Sequence, residues 1–122
     1  MANTALAIDA MSGDLGPRII VPSALQFSKA HPDLQLYLAG QAESLRPLLP
    51  EKIPEQIHIV DCPEVVAMDE SPAQVLRKRL DTSMLGAVQL LKQKQVHGMV
   101  SAGNTGALMA LAKYHLKTIE GI

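Results

Sequence analysis

Val100-Ser101-Ala102-Gly103-Asn104-Thr105-Gly106-Ala107-Leu108 is the stretch whose reading decides the fold. An apolar run, Val96 to Val100, leads into it and reads as a short buried strand. Small residues and glycines follow. Leu108, Leu111, Ala112, His115 and Leu116 then recur with the period of a helix that has one apolar face. A strand, a Gly-rich turn and a helix opened by Asn or Thr together present free backbone N–H groups and the positive end of a helix dipole. That arrangement suits an anion, most often a phosphate. The same pattern equally makes a plain strand–helix connection with Asn104 or Thr105 as N-cap. Locally, both readings stand.

The length, 122 residues, fits one small domain or a piece of a larger one. Hydrophobic residues make up 48% of the chain and aromatic residues only 2%, so aliphatic side chains and Met must fill the core. Eleven Lys+Arg against 12 Asp+Glu give a net charge of -1, which argues against nucleic acid as a partner. The scarcity of aromatics removes the stacking platforms of single-strand binders as well. The single cysteine, Cys62, has no partner for an internal disulfide and favours a reducing compartment. No basic segment followed by an apolar stretch opens the chain, and no apolar run approaches the roughly 20 residues that span a bilayer. The expectation is a cytosolic protein.

Taken in order, Thr4 to Ile8 is an aliphatic first strand that delivers Asp9 and Asp14 to a loop containing Gly13 and Gly16. Ile20, Val21, Ala24 and Phe27 give a helical face, and Pro22 predicts a helix that begins close to Ile19 or bends there. Leu34 to Ala39 is a second strand, Gln41 to Leu49 a short helix, and Ile57 to Val60 a third strand ending at Asp61. The segment 65–70 reads as an extended loop. Ser71-Pro72 has the form of an N-cap with Pro at the first helical position. A further helix starts at Asp81 or Thr82 and buries Met84, Ala87, Val88 and Leu91. Met68, Met84, Met99 and Met109 all fall where core is expected. Strands that alternate with helices and are apolar on both faces predict an α/β fold: a mainly parallel sheet covered by helices on both sides. Ligands of such sheets lie beyond the C-terminal strand ends, where Asp9, Asp61, Ser101 and Asn104 fall.

Three separate motifs then carry a resemblance. Ala7-Ile8-Asp9-Ala10-Met11-Ser12-Gly13-Asp14-Leu15-Gly16-Pro17 resembles the N-terminal signature of the PlsX family of phosphate acyltransferases, and so does 101–108. Between them Met68-Asp69-Glu70-Ser71-Pro72, Arg77, Lys78 and Ser83-Met84 fit that family's middle motif in the same order. Ser12 stands where a second glycine is usual, and Thr82 where serine is common. The resemblance implies a Rossmann-like fold related to isocitrate and isopropylmalate dehydrogenases, with this chain as the N-terminal part of one domain. It implies a bacterial enzyme that moves a long acyl chain from acyl carrier protein to inorganic phosphate, the acyl phosphate then feeding phospholipid synthesis. It further implies a homodimer, cytosolic or loosely attached to a membrane. No cofactor and no metal are expected. Later motifs of the family, rich in Asn, Lys and Gly, are missing from this chain, so the piece alone is expected to be inactive.

Phosphate is already a nucleophile, so positioning and electrostatics can supply most of the rate without a Ser-His-Asp arrangement. The candidate catalytic residues are Asp9, Asn104 and Lys78. The candidate phosphate- and substrate-binding residues are Gly13, Asp14, Arg77, Ser101, Gly103, Asn104, Thr105 and Gly106. Asp9 and Asp14 either orient the loop and handle protons, or serve as turn and capping residues around the glycines. Arg77, Lys78 and Arg79 point about 100° apart on a helix, so at most one or two reach a phosphate or an acidic carrier, the rest being a solvated face. The four histidines, at 31, 58, 97 and 115, lack metal-ligand spacing, and His115 is expected to be a buried, hydrogen-bonded ring. A phosphate acetyltransferase-like enzyme acting on a coenzyme A thioester and a non-catalytic α/β binding module are the alternatives. A dinucleotide site is disfavoured, because no G-x-G-x-x-G follows the first strand and Ala39-Gly40, not an acid, ends the second.

Overall fold

Side chains of a strand alternate between its two faces, and here both faces are covered. In β1 (Thr4–Asp9), Leu6 and Ile8 pack into a cluster with Val21, Ala24, Leu36, Leu38 and Leu45. Ala5 and Ala7 point the other way, into a cluster with Ala39, Ala87, Leu90 and Val96. The computed structural model describes residues 4–13, 15–69, 71–74 and 82–116. Its sheet comprises β1, β2 (Leu34–Gly40), β3 (Ile57–Asp61) and β4 (Gly98–Val100), all parallel, in the order β3-β2-β1-β4. Helices α1 (Pro17–Ala30) and α2 (Ala42–Leu45) contribute to the first cluster and α3 (Ser83–Lys92) to the second. Helix α4 (Thr105–Leu116) packs against α3 through Met84, Val88, Ala107 and Leu111. The expected parallel α/β sheet with helices on both faces is therefore present.

Several local boundaries differ from the sequence expectation. Helix α1 starts at Pro17 rather than near Ile19, because Pro17 itself takes the first position and Gly16 accepts the N–H groups of Ile19 and Ile20 on its carbonyl. Pro22 then sits inside the helix, one donor short but tolerated. Helix α2 is only one turn long, and a 3-10 turn, Arg46–Leu48, replaces the rest of the expected helix around Pro47. Strand β4 begins at Gly98, two residues later than expected. Lys94 adopts a left-handed φ of 61° at the end of α3, so Gln95 and Val96 are still turning toward the sheet. His97 opens the pairing instead: its N–H donates to Ala5 O (2.7 Å) and its Nδ1 accepts the Ala5 N–H (3.0 Å).

Two of the four methionines expected in the core are exposed, Met68 by 64% and Met109 by 67%, whereas Met84 is fully buried and Met99 packs against the core. His115 is half-buried rather than buried. Desolvation, and then the charge of Lys92, lowers its pKa below the usual 6.5.

The α3 face of the sheet is paved with Ala5, Ala7 and Ala39, and small side chains let the helix approach closely. Gly86 marks the tightest point: a Cβ there would stand 2.6 Å from Cys62 Sγ and 3.8 Å from Ala39 Cβ. Gly86→Ala should therefore destabilise the protein by about 1–3 kcal/mol through overpacking. Adding Cys62→Ala should recover much of that loss, a non-additivity that urea denaturation of the two single variants and the double variant will measure.

Candidate functional site

β1 and β4 are hydrogen-bonded neighbours, with Ile8 opposite Val100, yet they lie far apart in sequence. The loop leaving β1 runs to α1 on one face, and the loop leaving β4 runs to α4 beside α3 on the other. Chain directions that diverge between two adjacent parallel strands open a crevice at their C-terminal ends, the usual ligand position of such sheets.

Asp9 stands at the base of this crevice and is only 3% exposed. Its Oδ2 accepts the Ser101 hydroxyl (2.9 Å), and its Oδ1 accepts the Met11 N–H (3.3 Å). Burial pushes the carboxyl above the usual 3.8, against the opposing effects of Ser83, Ser101 and the Met11 N–H. The Ser101 hydroxyl in turn accepts the Gly103 N–H (3.2 Å). Ser12, also buried, donates its hydroxyl to Asp9 O (2.7 Å) and accepts the Ala102 N–H (3.0 Å). Two loops 90 residues apart are thus stitched together by two serines and one carboxylate.

The turn beyond is equally constrained. Asn104 is the N-cap of α4: its Oδ1 accepts the Ala107 N–H (3.1 Å), while its Nδ2 donates to Ala67 O (3.1 Å). Leu108 N–H closes the first helical turn on Asn104 O (3.0 Å). That leaves the N–H groups of Thr105 and Gly106, both exposed residues, with no acceptor inside the helix. Pro72 lies over the start of α4, where a Cβ on Gly106 would meet it at 3.1 Å. Pro72 follows Ser71 in a reciprocal capping box, in which Ser71 Oγ accepts the Gln74 N–H (3.2 Å) and Gln74 Oε1 accepts the Ser71 N–H (3.0 Å). Gly13, at φ 85°, occupies the left-handed region, and Gly103 is packed so closely that a Cβ would stand 3.1 Å from Met84 Cε.

Of the residues singled out from sequence, the structure brings Asp9, Gly13, Ser101, Gly103, Asn104, Thr105 and Gly106 to one crevice. Asp14, Arg77, Lys78 and Arg79 lie outside the described residues. Asp61 sits at the end of β3, on the far side of the sheet order from β4. It accepts the Ala42 N–H on Oδ1 (3.1 Å) and belongs to α2 rather than to the crevice. Sequence reasoning gave no site role to Ser12 or Ser83. Ser12 was visible only as a departure from a glycine, and its bond to Ala102 could not be read from local pattern. Ser83 lay inside a quoted motif, but nothing in its spacing placed it beside Asp9.

A family model described as "Fatty acid synthesis protein" matches residues 4–122. The chain belongs to this family. It is 49% identical over 121 residues to a protein of Coxiella burnetii (strain Dugway 5J108-111) named phosphate acyltransferase, an alignment covering 96% of this chain and 35% of the relative. A phosphate acyltransferase of Ectopseudomonas mendocina (strain ymp) is 47% identical over 129 residues, covering 100% and 37% respectively. One of Halorhodospira halophila (strain DSM 244 / SL1) is 49% identical over 120 residues, covering 96% and 35%. The chain spans about a third of the length of these curated relatives, and their names agree with the resemblance carried by the three motifs. No described helix is long and apolar enough to cross a membrane.

The raised Asp9 pKa has a consequence for stability. A group whose pKa is higher folded than unfolded contributes stability below the unfolded value, near 3.8, that is lost as pH rises through the folded value. Asp9→Asn keeps the shape and removes the ionisation. The melting temperature of Asp9→Asn relative to wild type should therefore climb across that window, whereas a constant difference would show that Asp9 ionises without cost.

Proposed function

We propose that the chain is part of a phosphate acyltransferase that joins a fatty acyl group, delivered as a thioester on acyl carrier protein, to inorganic phosphate. The observation that carries this reading is the Asp9–Ser101–Gly103 chain of hydrogen bonds, which holds the turn before α4 at the sheet's switch point. With that turn fixed, the N–H groups of Thr105 and Gly106, which have no acceptor inside the helix, and the positive end of α4 face an anion with little reorganisation. Family membership supplies the acyl chemistry, and the relatives' name supplies phosphate.

In this reading a phosphate oxygen attacks the thioester carbonyl carbon. The C–O bond forms as the C–S bond breaks, and the electron pair leaves with sulfur, which takes up a proton to give the free carrier thiol. Thr105 and Gly106 bind and orient phosphate. Asp9 is buried and both its oxygens are occupied, so it works through Ser101 rather than by touching phosphate. Asn104 sets the direction of the first turn of α4. Lys78 and Arg77 are assigned to the developing negative charge and to the acidic carrier, and Gly13 and Asp14 to the loop flanking the crevice. The complete enzyme is a cytoplasmic homodimer, at most loosely held at a membrane. Residues 1–122 are the opening part of one Rossmann-like domain of the isocitrate/isopropylmalate dehydrogenase type.

Calorimetric titration with inorganic phosphate tests the site. Thr105→Val keeps the shape of the side chain and deletes one donor, and should weaken phosphate binding about 10- to 150-fold, the equivalent of one hydrogen bond to a charge. Affinities equal to wild type in Thr105→Val and Ser101→Ala would remove those two hydroxyls from the phosphate site, and an equal affinity in Gly106→Val as well, with the fold intact, would remove phosphate from this turn. In an enzyme of the relatives' full length, Arg77→Ala with Lys78→Ala should raise the KM for acyl carrier protein and flatten its salt dependence. An unchanged salt slope would place the carrier elsewhere.

A further inference from the structure

Among the described residues, one buried side-chain polar atom lacks a hydrogen-bond partner: the hydroxyl of Ser83, a residue only 1% exposed, although buried hydroxyls are almost always satisfied. The rest of the residue is committed, since its N–H donates to Glu64 O (3.1 Å) and it forms the first position of α3 behind the Thr82 cap.

The register of α3 on the sheet explains where that hydroxyl lies. Ala87 packs with Ala5 and Ala7 on the α3 face of β1. One helical turn back from Ala87 is Ser83, about 6 Å along the helix axis. Two residues on from Ala7 along the strand is Asp9, about 6.6 Å away and on the same face. Ser83 is therefore carried to the Asp9 carboxylate, close enough to influence its ionisation but out of hydrogen-bond geometry. Met84, the next residue, closes against Gly103. Among the described residues, the groups that face Asp9 are Ser83 from α3, Ser101 from the end of β4 and the Met11 N–H of its own loop, and none of them is charged.

We propose that Ser83 is a positioning residue for this site. Its buried hydroxyl is the reserve donor that holds Asp9 as a carboxylate, so that Oδ2 stays an acceptor for Ser101 and Ser101 keeps a lone pair toward the Gly103 N–H. The role assigned to Gly103 rests on the phosphate reading above. The link between Ser83 and Asp9 does not. A serine that merely fills space would behave differently: removing an unpartnered buried hydroxyl, as Ser83→Ala does, would stabilise the fold or leave it unchanged and would leave Asp9 untouched.

The test is a carbon-13 NMR titration of the Asp9 carboxyl in wild type, Ser83→Ala and Ser83→Thr. Ser83→Ala should move the Asp9 midpoint upward, by less than the roughly one to two pH units that a fully formed hydrogen bond to a charged group would give, and Ser83→Thr should restore it. The pH at which phosphate affinity is half its maximum, measured against wild type, should move in the same direction. In wild type the Ser83 Cβ signal should itself titrate with the Asp9 midpoint, a measurement that needs no variant to fold. An Asp9 midpoint unmoved in Ser83→Ala, or a Ser83 Cβ signal flat through the Asp9 titration, would overturn the proposal. Failure of wild type to bind inorganic phosphate while the midpoint still moves would instead overturn the functional reading and leave the Ser83–Asp9 coupling standing.

Discussion

A carboxylate buried where two parallel strands end is the constraint on which the rest of this structure depends. Burying a charge without partners is costly, so Asp9 must gather donors from whatever surrounds it. It takes one from its own loop at Met11 and one from Ser101 beyond β4, and it stands beside Ser83 of α3. Each of those segments enters the crevice from a different element. The need to satisfy one side chain thus fixes three pieces of chain relative to one another. The hydroxyl of Ser12 adds a second tie between the same two loops through backbone groups alone.

That arrangement requires α3 to sit close to the sheet, and the small residues beneath it make this feasible. Ala5, Ala7 and Ala39 present little bulk, and Gly86 presents none where Cys62 comes nearest. A larger paving would lift the helix and withdraw Ser83 and Met84 from the crevice. Packing on the α3 face and polar order at the strand ends are consequences of one interaxial distance. By contrast, the α1 face is filled by Leu36, Leu38, Leu45 and Val21 and bears no such relation to the site.

Much of this was legible in the chain. Runs apolar on both faces, such as Ala5 to Ile8, give buried parallel strands because no polar alternation marks a wet side. Ser71-Pro72 and Thr82 announced helix starts by capping chemistry, which is local and therefore readable. What escaped depended on distant contacts. Ser12 looked like a substituted glycine because its partner is 90 residues away, and Ser83 looked like a motif letter because its place is set by helix register on β1. Met68 and Met109 were read as core from hydrophobicity alone, yet surfaces carry much apolar area and both are solvent-facing. Asp61 fell at a strand end as expected but at the wrong end of the strand order, which no local pattern records.

The double duty of Asn104 limits what evolution can write at that position. Aspartate, serine and asparagine cap helices about equally well, so capping alone would let the residue drift among them. Here the side chain must accept from Ala107 and donate to Ala67 at once, from two different atoms on one short stem. Aspartate offers two acceptors and no donor, and serine has a single atom on a shorter reach. Within this trio only the amide serves both partners. A site that appears degenerate from the standpoint of helix chemistry is, in this fold, a vocabulary of one.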